Sequence, residues 1–182
     1  MSLRLRRPVA FVGFMGAGKT SVAKELSERL ECHHFDLDEV IEVASALSIA
    51  EIFEQYGEEI FRNFESKLLK AAFAQPEPAL VACGGGIVLH KDNVSTLRTD
   101  AFVIYLKVSS DRVLERIEDR STRPLLKDAQ SPEEVDALLA QREGLYEEVA
   151  DLVVDTDGRS VAEVCDEIVE TLEAGNYGVF HP

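Results

Sequence analysis

Three features of the sequence predict an α/β fold in which helices cover a parallel sheet. Short apolar, β-branched runs alternate with longer segments of helical period, and those runs are nearly continuous rather than alternating in polarity. A 46% apolar content over 182 residues is enough for one well-packed domain spanning 1–182. The runs "VAFVGF", "CHHFDLD", "ALVAC", "AFVIYLKV" and "DLVVDT" read as five strands buried on both faces. After the first run, a helix places Val22, Ala23, Leu26 and Leu30 on one stripe. Between the second and third runs, a helical block from Ile49 to Phe73 carries Phe53, Ile60, Phe61, Phe64 and Leu68 and is longer than a simple crossover needs. It ends at "QPEP", Gln75 to Pro78. The last helix starts at Ser160, with Glu163 completing a capping box, turns Val161, Val164, Cys165, Ile168 and Leu172 inward, and stops at Gly175. The remaining "GNYGVFHP" reads as a tail over about 175–182.

Nineteen basic against 34 acidic residues leave a net charge of −15, which argues against nucleic acid or an anionic membrane as partner. An anion must therefore be held by a local basic cluster. Cys32, Cys83 and Cys165 are far apart, as reduced thiols in a reducing compartment would be, and Cys32 with His34 offers two metal-ligand types without a third. The apolar run at the N-terminus is too short for a signal peptide or membrane span, so the expected location is the cytoplasm. No segment advertises an interface, and a monomer is expected.

Gly13, Gly18, Lys19 and Thr20 fit G-x-x-x-x-G-K-[ST] directly after a strand and at the start of a helix. There the backbone N–H groups of Gly13, Gly16, Ala17, Gly18, Lys19, Thr20 and Ser21 can curl around phosphate oxygens, Lys19 can span the outer phosphates, and the Thr20 hydroxyl can ligate Mg²⁺. The motif establishes nucleotide binding but not the acceptor. In "FDLDE", Asp36 and Asp38 are one residue apart; on a strand they project to the same side, near the sheet edge where ligands bind. One can support magnesium and the other can orient an attacking hydroxyl. The alternative is that these acids simply favour the start of a following helix.

Beyond the loop, "GFMGAGKTSVAKEL", "FDLDEVIE", "IAEIFEQYGEEIFRNFE", "CGGG", "RPLL" and "QREGLYEEVADLVVDT" occur in the order and at spacings that resemble the shikimate kinases, a nucleoside-monophosphate-kinase-like branch of P-loop proteins. The resemblance runs from Gly13 to Thr156. It implies a three-layer αβα fold of P-loop kinase type with a five-stranded parallel sheet, a small helical substrate-binding subregion over about 36–65 and a lid over about 117–130. It also implies transfer of the γ-phosphoryl of MgATP to the 3-hydroxyl of shikimate, with ATP as co-substrate. By the same resemblance, Asp36 supports Mg²⁺, Asp38 binds the substrate hydroxyls and is the candidate base, and Arg62 and Arg142 hold the carboxylate. Glu65 fixes Arg62, the Gly84, Gly85 and Gly86 backbone contacts the ring, and Arg123 acts with Lys19 on the transferring phosphate. Arg116 and Arg159 neighbour the adenine. Many relatives end the first helix with glycine, where this chain has Glu31, Cys32, His33 and His34, so the turn there is open.

Spacing alone leaves these assignments with alternatives. Arg62 lies between Glu58 and Glu65 at helical intervals, as an exposed salt bridge would, and Arg142 beside Glu143 reads equally as a solvated helix residue. Paired guanidiniums would nevertheless supply what an acidic protein needs to bind a planar carboxylate. The triple glycine is either a tight turn or a place of close backbone approach, and Cys83 before it is a modifiable thiol or a small buried residue. "EDRSTRPLLKDAQSPEE" suits a lid, since Pro124 pushes Arg123 toward an extended shape, or an ordinary surface loop. The rival functions are a related kinase for gluconate or a nucleoside monophosphate, and a nucleotide-binding regulator without turnover.

Overall fold

The computed structural model describes residues 2–116, 132–175 and 178–181. In chain order its elements are β1 (Ser2–Leu5), β2 (Val9–Val12), α1 (Lys19–Leu30), β3 (His34–Asp36), α2 (Leu37–Ser45) and α3 (Ile49–Phe73). Then come β4 (Leu80–Ala82), a 3-10 turn (Ile87–Leu89), α4 (Lys91–Asp100), β5 (Phe102–Lys107) and α5 (Ser110–Arg116). The last are α6 (Pro132–Val149), β6 (Leu152–Asp155), α7 (Val161–Ala174) and β7 (Gly178–His181). The expected lid and its Arg123 fall outside the described residues.

Five parallel strands lie in the order β3-β4-β2-β5-β6, with Val9 opposite Leu80 on one side of β2 and Phe102 on the other. Side chains alternate across β2, so Val9 and Phe11 pack with α1 and α7 residues such as Leu26 and Ile168, while Ala10 and Val12 pack with Leu69, Leu97 and Tyr146. Two cores on opposite faces of one sheet make the fold three-layer αβα. The central strands β2 and β4 are buried throughout and β5 is buried up to Leu106, but β3 and β6 are edge strands with half-buried and exposed positions, which corrects the expectation that all five are buried on both faces.

Several local expectations hold for their stated reasons. The α1 stripe is buried, and α7 opens with the Ser160–Glu163 capping box. Glu31 takes the left-handed conformation (φ 50°) after α1, filling with a non-glycine residue the position that a helix-ending glycine favours. Other positions differ. Val161, the first residue of α7, is exposed, and so are Ile60 and Phe64, because α3 packs only part of its circumference against the sheet. Within the tail, Gly178–His181 form β7, paired antiparallel with β1 from Ser2↔His181 to Leu5↔Gly178.

A third, smaller core of Ile41, Ile52 and Phe61 sits beneath α2 and the start of α3. Within α3, Gly57 at φ 80°, ψ 168° breaks the helix, in a region of backbone space open essentially to glycine alone. The break separates the turn that packs on α2 from the stretch that carries Arg62 and Glu65. No other atom lies within 4 Å of where a side chain at Gly57 would begin, so substitution there tests strain alone. Gly57→Ala is expected to destabilise the protein by about 1–3 kcal/mol. Calorimetry reads this as a fall in Tm of about 2–4 °C per kcal/mol. An unchanged Tm would mean that the kink relaxes without strain.

Candidate active site

The phosphate loop joins β2 to α1, and its geometry follows from its glycines. Gly18 (φ 91°) precedes α1 with no side-chain cap, so no side chain at that position stands between the helix start and an anion. Lys19 Nζ donates to the carbonyls of Gly13 and Phe14, each at 2.9 Å, and so lies folded over the loop. Gly16 (φ 79°), Ala17, Gly18, Lys19, Thr20 and Ser21 line a cavity of about 1060 Å³. Gly13 is not among its lining residues. A side chain there would begin 2.5 Å from the Leu106 carbonyl oxygen, so this glycine lets the loop pass β5.

The two aspartates reach the same cavity by a route other than strand alternation. β3 ends at Asp36, whose side chain caps α2 by accepting from the N–H groups of Asp38 (3.0 Å) and Glu39 (3.3 Å). Asp38 is therefore a first-turn helix residue, as the helix-start alternative expects, and both aspartates still line the cavity. The other Asp36 oxygen accepts from the Thr20 hydroxyl. Thr20 and Asp36 thus bring hard oxygen donors together at the cavity wall, which fits a magnesium ion that keeps most of its shell as water and phosphate. Among the described residues, no group of three or more His, Cys, Asp or Glu is arranged to hold a metal.

At the far end of the cavity, Arg116 donates to the Gly16 carbonyl (3.1 Å) and to the Thr156 hydroxyl and carbonyl (3.2 and 2.9 Å), tying the phosphate loop to the turn after β6. Arg159, also in the wall, donates to the Asp155 and Glu163 carbonyls and pairs with Glu167 at 2.5 Å.

The opposite end is built around Gly84, Gly85 and Gly86 after β4. Arg62 is only 8% exposed, donates to Glu65 (2.9 Å) and Glu58 (3.0 Å), and stands 5.1 Å from the centre of the Phe61 ring. Arg142 is 5% exposed; its Nη1 lies 3.5 Å from the Gly85 carbonyl, with Phe14 beneath its guanidinium. Neither is the solvated helix residue that spacing alone allowed. A small pocket of about 60 Å³, lined by Phe53, Phe61, Arg62, Glu65 and the three glycines, shares Met15, Asp38, Ile49 and Gly85 with the larger cavity.

Close approach explains the glycines. A side chain at Gly84 would begin 2.5 Å from Glu65 Oε1 and 2.9 Å from Asp38 Oδ1, and one at Gly86 would begin 2.6 Å from Arg62 Cζ. Glu65 is fully buried, and Oε1 has no hydrogen-bond partner among the described residues. Burial pushes its pKa up to about 7 against the pull of Arg62, with Asp38 and Glu58 adding to the rise. Burial also pushes the Cys83 thiol up, which favours its reading as a small packed residue.

Tyr146 has no role in the sequence reading, yet its hydroxyl donates to the Gly85 carbonyl and its ring stacks on Tyr105 at 5.1 Å. The signal was available: Tyr146 stands four residues after Arg142, on the same face of α6. Phe14 and Thr156 offered no comparable signal.

The family model described as shikimate kinase matches residues 15–173. A shikimate kinase of Dictyoglomus turgidum is 40% identical over 171 residues, 92% of this chain and 98% of the relative. One of Geobacter sulfurreducens is 41% identical over 162 residues, 89% of this chain and 88% of the relative. Among solved structures, shikimate kinase from Acinetobacter baumannii in complex with shikimate superposes with a TM-score of 0.87 at 31% identity, covering 93% of this chain and 94% of that one. A gluconokinase from Sinorhizobium meliloti, at 15% identity and a TM-score of 0.56 over 94% of both chains, shares the fold alone. The family model and these relatives extend over nearly all of the chain, which belongs to the shikimate kinase family.

Proposed function

We propose that the chain transfers the γ-phosphoryl group of ATP to the 3-hydroxyl of shikimate, forming shikimate 3-phosphate and ADP. The observation that carries this reading is the pair of nearly buried guanidiniums, Arg62 and Arg142, meeting the glycine triplet beside a phosphate cradle. In an acidic protein, two such groups are retained out of water most economically where they receive an anion.

In this account the α1 N-terminus and the Gly16 to Ser21 backbone hold the phosphates, and Lys19 leaves the Gly13 and Phe14 carbonyls to span the outer two. Arg116 and Arg159 flank the base. Thr20 and Asp36 would hold magnesium, which when bound draws charge from the phosphate oxygens. Arg62 and Arg142 grip the shikimate carboxylate by their forked N–H groups, with Glu65 orienting Arg62. The flat backbone of Gly84, Gly85 and Gly86 meets the ring, and Asp38 accepts a hydrogen bond from the hydroxyl to align it. A loose transition state requires alignment more than a strong base. The acceptor-binding part is the helical subregion at about 36–65, and the reading keeps about 117–130 as the lid bringing Arg123 to the transferring group.

We extend the reading to a cytoplasmic monomer. All three cysteines are free thiols, and both halves of the site come from one chain. No helix among the described residues is long and apolar enough to cross a membrane.

Coupled ADP release with shikimate, gluconate and AMP offered in turn tests the function. Shikimate alone is expected to stimulate release. Stimulation by another acceptor and not by shikimate would overturn the assignment, and tight ATP binding that no acceptor converts to turnover would favour a regulator.

The buried Glu65 predicts a pH dependence of stability. Its ordinary value of 4.5 rises to about 7 in the fold, so between these values the folded chain holds a proton that the unfolded chain has released. Stability contributed by this group is therefore present below about pH 4.5 and declines as pH rises to about 7. Glu65→Gln should flatten the slope of Tm against pH in that window, whatever its effect on Tm itself. An identical slope in both proteins would mean that Glu65 is not the group that titrates.

A further inference from the structure

Away from the nucleotide cavity, the ends of β5 and β6 and one face of α6 enclose a separate cleft of about 380 Å³ that the proposed reaction does not use. Among the described residues, Asp136, Glu143, Asp155 and Asp157 line it, against one cation, Lys107. The Lys107 ammonium sits 2.5 Å from Glu143 and 3.9 Å from Glu147, so the chain already lodges one alkylammonium against this helix face. Asp155 accepts the Asp157 N–H (2.8 Å) and Asp157 accepts the Ser109 N–H (3.1 Å), each through a single oxygen, so each retains a second.

An independent observation comes from the cleft's wall. Tyr105 is 1% exposed and lines the cleft, and its hydroxyl makes no hydrogen bond among the described residues. A phenol this buried ordinarily has a partner. Its ring stacks on Tyr146, leaving the hydroxyl as the polar group Tyr105 can offer an occupant.

We propose that this cleft is a binding site for a linear di- or polyamine. Ammonium groups of such a ligand would donate to Asp136 and the free oxygens of Asp155 and Asp157, and Tyr105 would accept from one of them. Its methylenes would lie along Val108, Leu139 and Ala140. A bare metal ion fits less well, because among the described residues no three acidic groups converge as ligands and part of the wall is apolar. The same turn that supplies Asp155 and Asp157 also carries Thr156, to which Arg116 is tied, so the occupant would sit next to the nucleotide end of the enzyme.

Titration calorimetry of the full chain with spermidine, at constant ionic strength, tests the proposal. One saturable site is expected. Asp136→Asn, an exposed change that leaves the core intact, should weaken it by about tenfold or more, as loss of a charge-assisted contact would. Tyr105→Phe should weaken it less, and Glu28→Gln, on the exposed face of α1, should leave it unchanged. Equal weakening by Glu28→Gln and Asp136→Asn would reduce the effect to the diffuse field of a protein carrying −15 charges and overturn the site. Saturable binding of Mg²⁺ through Asp136, with no spermidine binding, would overturn the ligand class.

Discussion

The proposed acceptor half of the site depends on the absence of side chains at Gly84 and Gly86. Three helices converge on this short stretch. Asp38 of α2 and Glu65 of α3 close on Gly84, the Arg62 guanidinium fills the space beside Gly86, and Arg142 and Tyr146 of α6 meet the Gly85 carbonyl. A single methyl group at either outer position would occupy space now held by a charged side chain. Because β4 lies next to β2 in the sheet, the same stretch also places these charges beside the phosphate loop. A side chain at Gly85 would begin 3.5 Å from the Met15 nitrogen and 3.7 Å from the Gly13 carbonyl oxygen, so the glycine stretch runs alongside the phosphate loop.

This arrangement resolves the electrostatic problem posed by composition. The chain carries a net charge of −15, yet the proposed ligands are a polyphosphate and a carboxylate. Long-range attraction cannot assist binding, so the positive charge is concentrated where water is excluded. There, Coulombic interactions are several times stronger than at the surface. Arg62 is held in that position by Glu65, and the burial of Glu65 raises its own pKa, so the pair sits close to the pH at which its charge balance changes. The nucleotide half is less specific. An uncapped helix start, a lysine, a threonine and an aspartate would serve any phosphoryl transfer.

Legibility in the sequence followed the range of the interactions. The five strands, the α1 stripe and the Ser160 capping box were readable because each is a local rule of period or spacing. Asp36 and Asp38 line one cavity, but not by strand alternation, since β3 stops two residues sooner than alternation requires and Asp36 turns back to cap α2. The burial of Arg62 was not readable from its helix, whose spacing equally describes an exposed ion pair; the glycines that cover it lie more than 20 residues further along. The β1–β7 pairing joins the two ends of the chain, and nothing near either strand points to the other. Family resemblance bridged some of these distances, while the cleft at Tyr105 lay outside both kinds of signal.

In the proposed reaction, the acceptor is selected by a guanidinium packed against bare backbone. Gly86→Ala tests this directly, because Gly86 has φ −101°, a conformation open to alanine, and the group displaced is the end of the Arg62 side chain. The measurement is KM for shikimate and for ATP in the folded variant. The account predicts that KM for shikimate rises by about tenfold or more while KM for ATP stays within about twofold. An unchanged KM for shikimate, or an equal rise in both constants, would contradict it.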